Sequence, residues 1–259
     1  MPLLEHIDEL RSRAIRIFAA VISLTLFFFI FEIRTFNYGS YVIPYPFPNV
    51  YHNEAASLIQ YLQQNLLPSY VKIIVTSPSD ALVSEMVISM FLGLIIALPY
   101  VIYQIWAFIA PGLYAKEKML IFTLTVPATL LFFVGAIMGF LLLVPFAFQF
   151  MYLYALTIGA VTYITINDFL MFIILFSAAM GITFEVPIIM VGVTRLGLVK
   201  PDAWKRYFRY FLAFSVVYGA FITPDASGVT MWFVSVPMII LYGLGYLFSK
   251  RMAKEKIVK

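Results

Sequence analysis

Cysteine is absent from all 259 residues. Disulfides, thiol nucleophiles and cysteine metal sites are excluded with it. Histidine is nearly absent too: only His6 and His52 occur, both outside any long apolar run. No His-Glu-x-x-His motif is present and no lysine stands inside an apolar run, so intramembrane zinc or Ser-Lys chemistry lacks its residues. Charge is scarce, at 12% of the chain against 63% apolar residues, which excludes an ordinary soluble domain. The expectation is a protein that is not an enzyme, with no cofactor and no metal.

What is there is apolar sequence in six blocks, at about 14–31, 86–110, 119–152, 169–194, 208–222 and 229–248. Threaded alternately through a bilayer, they place 15 of the 17 lysines and arginines on one side, leaving only Arg34 and Lys72 on the other. Positive loops stay in the cytoplasm. The reading is therefore an all-α membrane protein, a single domain over 1–259 with six transmembrane helices and both termini cytoplasmic. Its net charge of +4 reports topology rather than a nucleic-acid surface. The first block begins early, as a signal peptide does, but ends in aromatics and Glu32 without a small-residue cleavage site, and reads as a retained span.

A span needs about 20 apolar residues for roughly 30 Å of hydrocarbon. The fifth block falls short. Fifteen residues separate Arg209 from Asp225, about 22 Å of helix, so either Arg209 snorkels or the bilayer thins locally; thinning beside spans five and six is the expectation. Pro99, Pro127, Pro145, Pro187 and Pro237 fall inside spans. Each removes a backbone donor and kinks its helix, which predicts a bent bundle with a concave face. In the one long outer loop, 34–85, Asn53 is placed to cap a short helix over 54–67 with Leu58, Ile59, Leu62 and Leu66 on one face. An extended segment over 71–76 follows, and Ser79 or Asp80 is placed to cap the second span.

Few polar groups remain to carry function. His6, Glu9 and Arg13 share one helix face just before the first span. At the next cytoplasmic turn stands Tyr103-Gln-Ile-Trp-Ala-Phe-Ile-Ala-Pro-Gly-Leu-Tyr-Ala-Lys-Glu-Lys118, whose Glu117 begins span three at the same membrane level as Glu9. Two such carboxylates suit a ligand carrying two guanidinium groups, through bidentate charge-assisted bonds; a helix-dipole role for Glu117 and a Glu9–Arg13 surface pair are the simpler alternatives. Glu185 lies deep in span four, 17 residues after Asp168 and 10 before Arg195. An ionisable group at that depth costs about 2.5–3.5 kcal/mol on insertion scales and marks a functional site. Gly181, one turn earlier, allows close approach by another backbone or a polar group. Asp225, after Pro224 in a tight outer turn, reads first as a cap for span six.

The segments 6–13, 103–117, Phe184-Glu-Val-Pro187 and Ile222-Thr-Pro-Asp225, in that order at the span boundaries, closely resemble the TatC family, the core subunits of twin-arginine protein translocases. The resemblance covers nearly the whole chain, and 103–117 is its most specific part. It implies a receptor and scaffold in the cytoplasmic membrane that binds twin-arginine signal peptides and exports folded proteins, driven by the proton-motive force. It implies signal-peptide contacts at Glu9, Glu117, His6 and Phe108. It implies partner-helix contacts at Glu185 and Asp225, with small single-span TatA/TatB-type subunits in an oligomeric complex. Two features depart from the family pattern: the first outer loop is longer than usual, and Ser227-Gly228 stands where the family often has Ser-Gln. A secondary transporter is the competing reading, but it wants an inverted repeat and further ionisable groups along a route, and neither is evident.

Overall fold

The computed structural model describes residues 3–38, 41–68, 70–109, 115–223 and 228–257; within these, the side chains of residues 3–6, 37, 38, 41, 106, 109, 115–122 and 253–257 lie outside the description. Helices dominate. In chain order come α1 (Leu3–Ile30), β1 (Phe31–Tyr38), β2 (Tyr41–Pro48), α2 (Glu54–Leu66), β3 (Lys72–Ile74), α3 (Asp80–Ile109), α4 (Ala115–Met138), α5 (Val144–Thr157), β4 (Tyr163–Thr165), α6 (Ile166–Arg195), α7 (Pro201–Ile222) and α8 (Val229–Ile257). The expectation of an all-α chain is corrected by two small β pairs. Apart from Phe31, the paired segments lie outside the apolar blocks, where backbone groups need partners that a span helix supplies internally.

Among the described residues, five helical stretches are long and apolar enough to cross a bilayer: Ile7–Ile30, Asp80–Ile105, Thr123–Thr157, Ile166–Arg195 and Val229–Met252. Helix α7 is not among them, because Lys205, Arg206 and Arg209 occupy its first half. The third stretch is not a continuous α-helix. Gly139–Leu143 forms a π-helical turn, with the Val144 N–H bonding the Gly139 carbonyl five residues back. Pro145 explains it: without an N–H it cannot bond the carbonyl four residues earlier, and the ladder slips by one residue.

The chain divides into two compact units, Met1–Phe108 with Phe150–Met171, and Ile109–Gln149 with Phe172–Lys259. In the first, Gly93 of α3 lies against Val21 and Thr25 of α1, where an added Cβ would come within 2.8 Å of the Thr25 backbone nitrogen. Otherwise no residue of α1 from Ile7 to Ile30 is buried. The strands β1 and β2 pair antiparallel from Phe31↔Pro48 to Tyr38↔Tyr41. Asn53 caps α2, its carbonyl oxygen accepting from the Ala56 N–H at 2.7 Å while its amide donates to the Phe29 carbonyl at 2.8 Å. Ile59 and Leu62 are buried, as the predicted stripe requires. The extended segment is β3, paired in parallel with β4 from Lys72↔Tyr163 to Ile74↔Thr165. Asp80 does not cap α3; its carboxylate turns back to accept from the N–H groups of Thr76 and Ser77 at 3.0 and 2.8 Å and fixes the turn before the helix.

In the second unit, Phe148, Phe172 and Phe176 stack in series at 4.5 and 4.6 Å between centroids. Gly135 and Gly139 of the α4 region abut the Met180 backbone and the Phe176 carbonyl of α6. Helix α7 is held by α8 through Ser235, whose hydroxyl reaches the Ser215 carbonyl at 2.9 Å. Nearer its start, Tyr242 of α8 donates to the Trp204 carbonyl at 2.6 Å and stacks on Phe211 at 4.1 Å. Trp204 in turn donates to the Thr194 hydroxyl at 2.9 Å.

Candidate functional site

The polar cluster at the start of α1 follows from helical spacing. Glu9 and Arg13 are one turn apart, and Arg13 donates Nε and Nη2 to the same oxygen, Oε1 of Glu9, at 3.0 and 2.6 Å. Its third donor, Nη1, reaches Oε1 of Gln104 on α3 at 2.9 Å. Gln104 is 4% exposed, so this is a fastened contact rather than a surface pair. The guanidinium thus consumes one oxygen of Glu9. Among the described residues, Oε2 makes no hydrogen bond, and it remains a carboxylate acceptor at the membrane surface. Phe108, in the last turn of α3, is half-buried. The side chains of His6 and Glu117, and the whole of Asp225, lie outside the described residues.

Glu185 is half-buried in α6. Its Oε1 is shielded from the surroundings and has no hydrogen-bond partner among the described residues. Its neighbourhood corrects one expectation. Gly181 does admit a close neighbour, but the neighbour is the apolar ring of Phe132 from α4, 2.7 Å from where a Cβ would stand. The polar group sought there is therefore not supplied from that direction. Two residues on, Pro187 packs against Gly245 of α8, 3.0 Å from its would-be Cβ. Glu185 sits in a tightly packed stretch with an acceptor left over, which is unusual because a buried polar atom normally finds a partner. Among the described residues, no group of three His, Asp or Glu side chains could hold a metal ion.

Sequence reasoning placed Glu9 and Arg13 together because that contact is local. It missed Gln104, 91 residues from Arg13. The signal was available in part: Gln104 is a lone amide between Tyr103 and Ile105 at the end of an apolar helix. Such a group, once buried, must find a donor or acceptor.

Long apolar helices, a fastened polar cluster at the end of one of them and a carboxyl within another define a multi-pass helical membrane protein. The comparisons make it particular. The family described as Sec-independent protein translocase protein (TatC) matches residues 5–237, and the chain belongs to that family. The TatC protein of Cenarchaeum symbiosum (strain A) is 34% identical over 97% of this chain and 96% of its own length. That of Escherichia coli (strain K12) is 30% identical over 96% of this chain and 88% of its own. A solved structure described as the twin arginine translocase receptor TatC superposes with a TM-score of 0.75 at 29% identity, covering 95% of this chain and 98% of its own. The family is one of protein transport, a component of the twin-arginine translocase rather than a catalytic enzyme.

Proposed function

We propose that this chain is the signal-peptide receptor and scaffold of its translocase, exporting folded proteins across the cytoplasmic membrane at the expense of the proton-motive force. Glu9 and Glu117 take the arginine pair of the signal peptide, with His6 and Phe108 beside them. Glu185 and Asp225 meet single-span TatA/TatB-type partners within an oligomeric complex. The observation that carries the reading is Oε2 of Glu9, which has no hydrogen-bond partner among the described residues: Arg13 holds the carboxylate through Oε1, so a second guanidinium can be accepted without breaking the first contact. A charge-assisted bond of this kind is worth about 1.5–3 kcal/mol, roughly 10- to 100-fold in affinity.

Binding of a twin-arginine signal peptide to the purified protein, with a twin-lysine peptide as control, tests this. Glu117→Ala and Glu9→Ala are each expected to weaken twin-arginine binding by about tenfold or more and to narrow the difference between the two peptides. Equal binding of both peptides to the unaltered protein would falsify the receptor role.

The topology belongs to the same proposal: six spans, with α7 as the fifth, and both termini cytoplasmic. Lysines and arginines favour this orientation by 15 to 2. The apolar part of α7, after Arg209, runs only from 210 to 222, about 20 Å of helix. Lipid beside α7 and α8 is therefore expected to be thinner than bulk. Spin-label depth measurements in nanodiscs would show it, and bulk thickness there would overturn the thinning and leave Arg209 snorkelling as the accommodation.

A further inference from the structure

The β1–β2 hairpin has no role in the reading above. Beside Arg34 and Thr35, its exposed side chains are apolar and aromatic, among them Ile33, Phe36, Val42, Ile43, Tyr45 and Phe47, with Phe36 57% and Val42 62% exposed. Exposed apolar patches of this kind mark contact surfaces. Its start is fixed. Phe31 follows the last residue of α1 directly, and the Asn49 N–H bonds the Ile30 carbonyl at 2.8 Å, closing the base of the hairpin on the helix end. Ile7–Ile30 is long and apolar enough to cross a bilayer, and none of its residues is fully buried in the protein. The hairpin therefore leaves from the lipid–water boundary with no linker between.

Its two faces differ. Glu32 and Arg34 stand on one, paired with each other at 3.1 Å, with Arg34 also stacked over Phe47 at 4.1 Å. By register the same face carries Phe36, Ile43, Tyr45 and Phe47, so it is amphipathic, whereas the other carries Ile33, Thr35, Val42 and the three prolines of β2 and no charge.

The edges decide between lipid and a protein strand as the occupant. An open sheet edge is costly near hydrocarbon because its N–H groups go unbonded. Pro44, Pro46 and Pro48 fall at alternate positions of β2, so all three lack an N–H on the side turned away from β1. On the outer side of β1, the Ile33 N–H is taken by the Glu54 carboxylate of α2 at 2.8 Å. Such an edge resists strand addition and leaves few donors needing water.

We propose that the β1–β2 hairpin is an interfacial lipid anchor: it lies in the leaflet opposite the amino terminus, with its charge-free face toward the acyl chains and the Glu32–Arg34 face toward headgroups. Length supports lying rather than standing. Eight residues per strand extend about 26 Å, whereas the headgroup layer is only about 5–7 Å deep per leaflet. An upright hairpin would hold Val42, near its far end, in water. Aromatic side chains such as Phe47 and Tyr45 are at home at this boundary.

The absence of native cysteine makes the test direct. The full chain carrying Val42→Cys or Ile43→Cys, labelled with an environment-sensitive fluorophore, is reconstituted in nanodiscs. The Val42 probe is expected to be blue-shifted and quenched more by lipids bearing a nitroxide on the upper acyl chain than by aqueous iodide. The Ile43 probe, on the opposite face, is expected to reverse that order. Iodide quenching that dominates at Val42, or shielding that arises only when single-span partners or cargo are added, overturns the proposal and makes the hairpin a protein-docking surface. Both positions are exposed, and thermal unfolding of each labelled chain confirms that its fold is retained.

Discussion

Glu185→Leu is expected to make the isolated protein more stable while weakening its capture of single-span partners by about 3- to 20-fold. The two effects have one cause. Oε1 of Glu185 is shielded and has no hydrogen-bond partner among the described residues. An unbonded buried polar group costs about 1–3 kcal/mol, and leucine removes that cost at similar volume. A hydrogen bond between helices in a membrane is worth about 0.6–1.7 kcal/mol, which sets the loss on the partner side. Glu185→Gln keeps an acceptor of nearly the same shape and should retain most of the capture. Site-specific crosslinking to the partner, with thermal unfolding in detergent alongside, reads both quantities. Unchanged crosslinking in Glu185→Leu sinks the partner-contact assignment, whatever the stability does. A gain in stability with a loss of capture is the pattern expected where strain is kept for function.

The residues that could be read in advance were those whose partners are near in sequence. Asn53 is followed five residues later by an apolar stripe, and it caps α2 as the spacing required. Glu9 and Arg13 are one turn apart and pair. The apolar blocks fixed the cores of the long helices but not their ends. Helix α1 begins at Leu3, before the apolar block at 14; hydropathy does not mark this part, but the shared helix face of His6, Glu9 and Arg13 does. The hairpin was readable in part, since Phe31-Glu-Ile-Arg34 alternates apolar and charged residues and Gly39-Ser40 follows Tyr38. Three prolines in β2 disguised it, because proline ordinarily argues against a strand and is admitted only where its missing N–H faces outward. The pairing of β3 with β4 had no such signal: Lys72 meets Tyr163 across 91 positions, and neither segment is long enough to identify alone. Gly181 shows the limit at a single residue. Its smallness announced a close neighbour, but whether that neighbour was polar or the ring of Phe132 depended on how α4 packs.

Gly219→Ala should lower stability, although alanine is the better helix former by about 1 kcal/mol. A Cβ at Gly219 would collide with the hydroxyl of Ser235 and stand 2.6 Å from the Met231 carbonyl oxygen. The first obstacle cannot swing away freely, because Ser235 Oγ is engaged with the Ser215 and Met231 carbonyls, both at 2.9 Å. The second is backbone. Relief requires α7 and α8 to separate, and overpacking of this kind costs about 1–3 kcal/mol. For a chain this size each kcal/mol moves the unfolding midpoint by about 2–4 °C. The consequence for α7 is larger than for a longer helix, since its apolar part is short and its place depends on this contact. Ser235→Ala combined with Gly219→Ala should recover only part of the loss, because the Met231 carbonyl remains. Gly243→Ala, in the same helix as Ser235, supplies the opposite sign: nothing lies within 4 Å of its would-be Cβ, so only the propensity gain is left. Midpoints that shifted in the same direction for Gly219→Ala and Gly243→Ala would mean that helix propensity, not the close approach of α7 to α8, governs this end of the protein.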